Sequence, residues 1–344
     1  MTATVTIQSS GQQFQVESGE TLLEAALRAG LALHYNCNSG SCGKCQARIV
    51  SGQTQTILHH DFVIPDSERK QGVVLLCRTT SVTDLVIETA LDNDPRHIPP
   101  QTIATSVYKL EYATDDVMVL HLRTPRSQTL RFLAGQHVTL TLNGISARNK
   151  SIASCPCNGM IMQFHIRRVS GDKFSEYVFS QLQTKHQVML SGPDGDFVLD
   201  TTSQRPLIFI AYETGFAPLK SLIEHAISLE LTQPIHLYWI ARHAGGHYLE
   251  NHCRSWQDAL DNFRYTAIVA DCAADAVAHS GAEITTAEAC LMTTATQVVR
   301  DYPDLHQYDV YVSAPAHGIA AARALLLRHR LAEDRLFVDT LERL

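Results

Sequence analysis

Four cysteines constrain this chain more than any other feature. Cys37, Cys42 and Cys45 lie in one loop rich in Gly, Ser and Asn, with four and then two residues between them. Cys77 follows about thirty residues later, just after an apolar run. Three thiolates from a tight loop and a fourth from a strand end match the donor pattern of a [2Fe–2S] cluster. Gly40 and Gly43 let such a loop fold back and aim backbone N–H groups at the sulfurs. Zinc sites usually pair their ligands as two short spacings, and only Cys42 and Cys45 are paired that way here. A cluster of this kind carries single electrons, so the pattern points to electron transfer.

The other five cysteines (Cys155, Cys157, Cys253, Cys272 and Cys290) are scattered and read as buried, inert thiols. Cys155 and Cys157 flank a single proline, and a disulfide between them is not expected. Nine cysteines, an odd number, argue against a disulfide framework. The N-terminus shows no basic stretch followed by an apolar one, so a reducing cytoplasm is the expected compartment. The chain has 344 residues, 45% hydrophobic and 18% charged, with a net charge of −7. That length suits two or three domains. The acidic balance and the lack of a Lys/Arg-rich run exclude a phosphate-tracking surface for nucleic acid.

Three patterns follow one another. Residues 1–16 alternate like two strands around Ser10-Gly11, and LLEAALRAGLAL reads as an amphipathic helix closed near Gly30. Strands are expected at Gln46–Val50, Val73–Leu76 and Leu85–Ile87. His59 and His60 fall in a polar stretch and read as a solvent-facing loop. Residues 93–102, polar and Pro-rich, read as a linker. From residue 103 to 203 short strands dominate, with Val117–Leu122, Val138–Leu142 and Met162–Arg167 the clearest. They suggest a small antiparallel barrel. From 204 to 344 continuous apolar runs (PLIFIAY, IHLYWIAR, YTAIVA, VYVSAP) alternate with helices at Leu219–Leu231 and Ile319–His329. ETGFAP reads as a tight loop between the first run and its helix. This is the signature of a parallel α/β sheet. The expected chain is therefore multidomain, with domains at 1–92, 103–203 and 204–344.

GETLLEAALRAGLALHYNCNSGSCGKC, FLAGQHVTL, MQFHIRRVSGDKFSEYVF, LSGPDGDF and TGFAPLKSLIEHA carry a resemblance over essentially the whole chain. The sequence resembles bacterial NAD(P)H-dependent reductases in which a plant-type ferredoxin domain is fused to a ferredoxin–NADP reductase-like module. Oxygenase reductases and CDP-6-deoxy-3,4-glucoseen reductases belong to this group. The resemblance implies a β-grasp ferredoxin domain, an antiparallel β-barrel binding FAD, and an α/β domain binding NADH or NADPH. Electrons would pass from the nicotinamide through FAD and the cluster to a partner oxygenase or dehydratase. The protein orients and tunes the cofactors that carry this chemistry.

Carried over position by position, the resemblance assigns FAD contacts to Arg148, Lys150, Ser151, Gly171, Lys173, Phe174 and Ser175. It assigns dinucleotide contacts to Thr214, Gly215, Pro218, Arg242, Ser313, Ala314 and Pro315. Ser151 and Ser313 are the residues expected beside the reacting centres. The motif Arg-x-Tyr-Ser stands here as Arg148-Asn149-Lys150-Ser151. Losing one aromatic stack costs about 0.5–1.5 kcal/mol, which FAD binding should survive. Ser313-Ala314-Pro315 stands for Cys-Gly-Pro, and Ile240 holds a position often taken by glycine.

The sharpest departure is Tyr212-Glu213, where a small residue and a glycine are expected before Thr-Gly-Phe-Ala-Pro. The loop should let a pyrophosphate approach a helix N-terminus. Tyr212 adds bulk there. A carboxylate about 4 Å from a phosphate, at an effective dielectric of about 20, repels it by about 4 kcal/mol. Two outcomes are open: Glu213 occupies the anion site, or it turns to solvent and pairs with a cation. The first would make the chain a nicotinamide-independent iron–sulfur accessory subunit on a reductase scaffold.

Overall fold

The computed structural model describes residues 2–341 except 30, 32, 36–39, 90, 92–97, 99, 126–127, 143, 159 and 270–285. The N-terminal hairpin forms as the alternation predicts, from β1 (Ala3–Ile7) and β2 (Gln13–Val16). Helix α1 (Leu22–Arg28) starts at Thr21, whose hydroxyl accepts from the Glu24 N–H while the Glu24 carboxylate reaches back to the Thr21 N–H. This reciprocal cap satisfies two N–H groups that a helix start otherwise leaves unpaired. Strands β3 (Gln46–Ser51) and β4 (Thr54–Thr56) come next. Helix α2 (Asp66–Lys70) precedes β5 (Val73–Leu75), β6 (Thr79–Ser81) and β7 (Leu85–Glu88). The main sheet runs β2-β1-β7-β3-β5, with β1 parallel to β7. Helix α1 buries Leu22, Leu23, Ala25 and Ala26 in the core on this sheet. This is the β-grasp arrangement.

The middle domain is a single six-stranded antiparallel sheet. Its strands are β8 (Gln101–Tyr112), β9 (Val117–Arg123), β10 (His137–Thr141), β11 (Arg148–Ser151), β12 (Ile161–Arg167) and β13 (Gln187–Asp194). The order is β11-β10-β13-β8-β9-β12. The sheet curls until its ends nearly meet, and the Ala153 N–H, just past β11, donates to the Gln163 carbonyl of β12 at 2.8 Å. Helix α3 (Lys173–Ser180), capped by Asp172, contributes Phe174 and Val178 to the barrel core. The segment expected as a linker ends in structure, because β8 begins at Gln101 and pairs with Gly192. Residues 93–97 and 99 of that segment lie outside the described residues.

The last domain alternates strand and helix. Strand β14 (Leu207–Tyr212) passes through one 3-10 turn into α4 (Phe216–Ser228). Strand β15 (Ile235–Ala241), α5 (Glu250–Ala259) and β16 (Phe263–Val269) follow. The chain ends with α6 (Thr286–Asp301), β17 (Asp309–Pro315), α7 (Ala316–Arg328) and β18 (Leu336–Leu341). All five strands are parallel, in the order β16-β15-β14-β17-β18. Strands β14 and β15 are buried at every position because the sheet is covered on both faces. Leu207, Phe209 and Ala211 enter one core, and Ile208, Ile210 and Tyr212 the other.

Helix α4 starts at Phe216 rather than Leu219. ETGFAP is a 3-10 turn plus the first turn of the helix, where Pro218 is tolerated because the N–H groups there have no partner within the helix. The last strand, β18, lies in a stretch that the sequence reading left without a strand. Among the described residues no helix is long and apolar enough to cross a membrane.

Candidate functional site

Three sites follow one another through the molecule. In the first, the Cys45 and Cys77 sulfurs lie 3.3 Å apart and buried, while Cys42 is partly exposed. The Lys44 N–H points at the Cys42 sulfur, 3.5 Å away. Cys37 lies outside the described residues. Gly40 (φ +74°) and Gly43 (φ +70°) take backbone conformations that other residues rarely adopt. Neither has room for a side chain: a Cβ on Gly40 would stand 2.6 Å from His60, and one on Gly43 2.4 Å from the Phe62 ring. The Phe62 N–H donates to the Gly40 carbonyl at 3.1 Å, so the 60–62 segment fastens the loop. His59 is exposed as expected. His60 is not a solvent-facing residue, since it is half-buried against the loop with Nδ1 2.8 Å from the Phe62 carbonyl. The paired Cys45 and Cys77 sulfurs, with Cys42 on the same glycine-tightened loop as Cys45, suit a [2Fe–2S] cluster, whose irons would supply single-electron chemistry.

The second site is a cleft of about 150 Å³ between the barrel and the α/β sheet. His137, Lys150 and Ser151 line it from β10 and β11, His165 from β12, Thr214 from the β14 turn, and Asp339 from β18. The Ser313 hydroxyl donates to Asp339 Oδ2 at 2.8 Å. Burial pushes the Asp339 carboxyl up, opposed by hydrogen bonds from Ser313 and Ser151 and by the charge of His137. The two serines named from sequence thus meet at one carboxylate, although they belong to different domains. Asp339 itself was missed; a lone acid inside the apolar run LFVDTL was its only signal. His165 Nδ1 lies 2.8 Å from the Tyr248 hydroxyl, and burial holds the His165 pKa well below the usual histidine range.

The phosphate-side residues differ in availability. Arg148 pairs with Asp172 at 2.7 Å in a partly exposed contact. Such pairs are worth about 0–1 kcal/mol and exchange readily. Lys173 is exposed, and Gly171 (φ +80°) has open space around it. Phe174 is a core residue, and the Lys150 ammonium lies 5.9 Å from its ring centre. Ser175 is not an available donor: it is 2% exposed, and its hydroxyl bonds the Val169 N–H at 3.0 Å and the Val169 carbonyl at 3.2 Å. Ser151 and Lys150 line the cleft, and Arg148 on the same strand is held in a partly exposed pair outside it; these groups suit a flavin edge and a phosphate.

The third site is the C-terminal edge of β14 and β17. Gly215 must be glycine, because a Cβ there would lie 2.3 Å from the Ser313 carbonyl oxygen. Pro218 and Ala314 are buried, and Pro315 caps α7. Tyr212 adds no bulk to the site. Its ring belongs to the core with Ile240, and burial together with the neighbouring Glu213 charge pushes its hydroxyl up to about 12. Glu213 does not turn to solvent, yet it does pair with cations. It turns inward, 0% exposed, with φ +56°. Its carboxylate pairs with Arg167 Nη2 at 2.5 Å and Arg242 Nε at 2.9 Å, and accepts from the Arg242 N–H at 2.7 Å. Arg242, expected among the dinucleotide contacts, is thus engaged by Glu213.

The structure brings the Cys155 and Cys157 sulfurs into contact, so the two are not separate buried thiols as expected. The 3-10 turn Pro156–Asn158 brings their Cα atoms to 5.3 Å, within disulfide range. Cys253 and Cys290 are buried as expected, and Cys272 lies outside the described residues.

A cysteine loop, a cleft between barrel and sheet, and a parallel sheet edge in one chain define an iron–sulfur flavoprotein reductase. Residues 5–82 match the 2Fe-2S iron-sulfur cluster binding domain, and residues 105–199 the oxidoreductase FAD-binding domain. The chain is 30% identical over 336 residues to the reductase component of propane 2-monooxygenase from a Gordonia species, covering 95% of this chain and 93% of that protein. It is 29% identical over 339 residues to the CDP-6-deoxy-L-threo-D-glycero-4-hexulose-3-dehydrase reductase of Yersinia pseudotuberculosis, covering 98% of each. The crystal structure of the Amycolatopsis cytochrome P450 reductase GcoB shares the fold, with a TM-score of 0.62 at 24% identity over 98% of both chains. The chain belongs to this family of ferredoxin-fused flavoprotein reductases. It is an NAD(P)H-dependent oxidoreductase that passes electrons through FAD and a [2Fe–2S] cluster.

Proposed function

We propose that this chain is the reductase component of a multiprotein system, delivering single electrons in the cytoplasm to a separate oxygenase or dehydratase protein. One observation carries this reading. Cys45 of the loop and Cys77 after β5 are buried on the protein side, while Cys42, with Ser41 and Lys44, lies toward the surface. A cluster held there has an exposed edge from which an electron can leave to a docked partner. The names of the relatives, a monooxygenase reductase and a dehydrase reductase, support a protein acceptor of either class.

Each role falls to residues of this chain. Bound FAD supplies the change from two-electron to one-electron chemistry. Ser151 and Ser313 fix the Asp339 carboxyl at the cleft. Burial raises the pKa of that carboxyl, against the hydrogen bonds from Ser313 and Ser151. Arg148, released from Asp172, meets a phosphate by charge-assisted hydrogen bonds. Thr214 and Gly215 allow close approach at the sheet edge.

The test is anaerobic mixing of the purified holoenzyme with NADH and with NADPH. Bleaching of both the flavin and the cluster absorbance is expected with at least one donor. No bleaching with either overturns the reading for these donors.

A further inference from the structure

Glu213 is a completely buried charged residue that the flavin and cluster sites leave unexplained. It holds a backbone conformation that glycine takes without penalty and glutamate does not (φ +56°). Its carboxylate gathers two guanidinium groups from two domains: Arg167 from the end of β12, and Arg242 from just after β15. Arg167 also pairs with Asp116 at 2.9 Å. Two positive and two negative charges therefore cancel, and without Glu213 one positive charge would remain. The Trp239 indole N–H donates to the Glu213 carbonyl at 3.0 Å, fixing the residue from behind.

The position is the notable part. Strand order reverses between β14 and β17, and parallel α/β sheets take their ligands outside the strand ends at such a point. Glu213 stands at the end of β14, one 3-10 turn before α4, where a helix start favours an anion. The Arg167 side chain is 3% exposed, while that of Arg242 is 43% exposed and stands at the mouth.

We propose that Glu213 is a built-in competing anion: its carboxylate occupies the Arg167–Arg242 corner that the phosphates of a dinucleotide would otherwise reach, and so determines how weakly this chain takes NAD(P)H. This rests on the reading that a nicotinamide dinucleotide is the electron donor. It also sets a sign that an ordinary structural ion pair does not. Removing a structural pair weakens a site, whereas removing a competing anion strengthens it for phosphate.

The experiment uses the holoenzyme with Glu213→Gln, which keeps the shape and removes the charge, and Glu213→Gly, which relaxes the backbone. ADP is titrated calorimetrically, and KM and kcat are measured for NADH and NADPH. Both variants should bind ADP at least tenfold more tightly than the native protein, with KM lowered more than kcat changes. Unchanged or weaker ADP binding in both, with native flavin content, overturns the proposal. If neither variant folds, Arg242→Gln in the otherwise native chain decides. A change in ADP affinity below threefold supports an Arg242 already engaged by Glu213, and a loss above tenfold overturns it. Failure of NADH and NADPH to reduce the native protein counts against the donor reading alone, because the ADP titration judges Glu213 independently.

Discussion

Ser313 at the end of β17 donates its hydroxyl to the Asp339 carboxylate of β18 at 2.8 Å, and that carboxyl is raised by burial against the flavin cleft. A group whose folded pKa lies above its unfolded value favours folding below the unfolded pKa. That contribution is lost as pH rises through the folded value. Asp339→Asn keeps an acceptor for Ser313 and removes the ionisation. The variant should gain thermal stability over the native protein as pH rises above the ordinary aspartate range, and the gain should vanish at lower pH. Melting curves from about pH 4 to pH 8 check this, and a constant offset would remove the titration argument.

Arg167 bridges Asp116 and Glu213, with its guanidinium almost wholly buried. Arg167→Met leaves the Glu213 carboxylate buried with Arg242 as its remaining cation. Breaking one side of a buried pair typically costs about 3–5 kcal/mol. Adding Glu213→Gln to Arg167→Met should recover much of that loss. Urea unfolding of the two single variants and the double variant measures the coupling; purely additive losses would contradict it.

Gly43 faces the Phe62 ring at a distance that excludes a Cβ, in a left-handed conformation. Gly43→Ala adds about 1–2 kcal/mol of backbone strain and a clash in the cluster loop. Bound iron per flavin should fall, with the flavin content unchanged. Iron and flavin analysis of the purified variant reads this directly.

Gly215 packs against the Ser313 backbone, which cannot yield as a flexible side chain would. Gly215→Ala should destabilise by about 1–3 kcal/mol, as overpacking does. It should also slow flavin reduction by displacing Ser313 from Asp339. Stability without the rate loss would show that the serine position tolerates the shift.

Cys42 is the partly exposed cysteine of the described three. Cys42→Ser should spare flavin reduction by NAD(P)H and sharply reduce electron delivery to a protein acceptor. Stopped-flow flavin bleaching alongside acceptor reduction separates the two steps.

The readable parts of the sequence were the local ones. Cysteine spacing marks the cluster because three ligands share one loop. The apolar runs of β14 and β15 mark a doubly covered sheet because every side chain must be buried. The β1–β2 hairpin shows in its alternation and turn. Less was legible where a residue's partner is remote. Asp339 carries no motif, and β18 was missed because only pairing with β17 gives its alternation meaning. Ser175 looked like a phosphate donor until the fold closed the Val169 loop over its hydroxyl.

Glu213 divides the two kinds of information most clearly. The sequence by itself determined that a carboxylate stands where a flexible, uncharged turn is expected, and that four cysteines stand in the spacing of a one-electron centre. Only the tertiary structure decided where that carboxylate points. Its charge is buried because β12 and β15 deliver Arg167 and Arg242 to the same corner. The free energy of a buried ion depends on such partners, which lie far off along the chain and close in space.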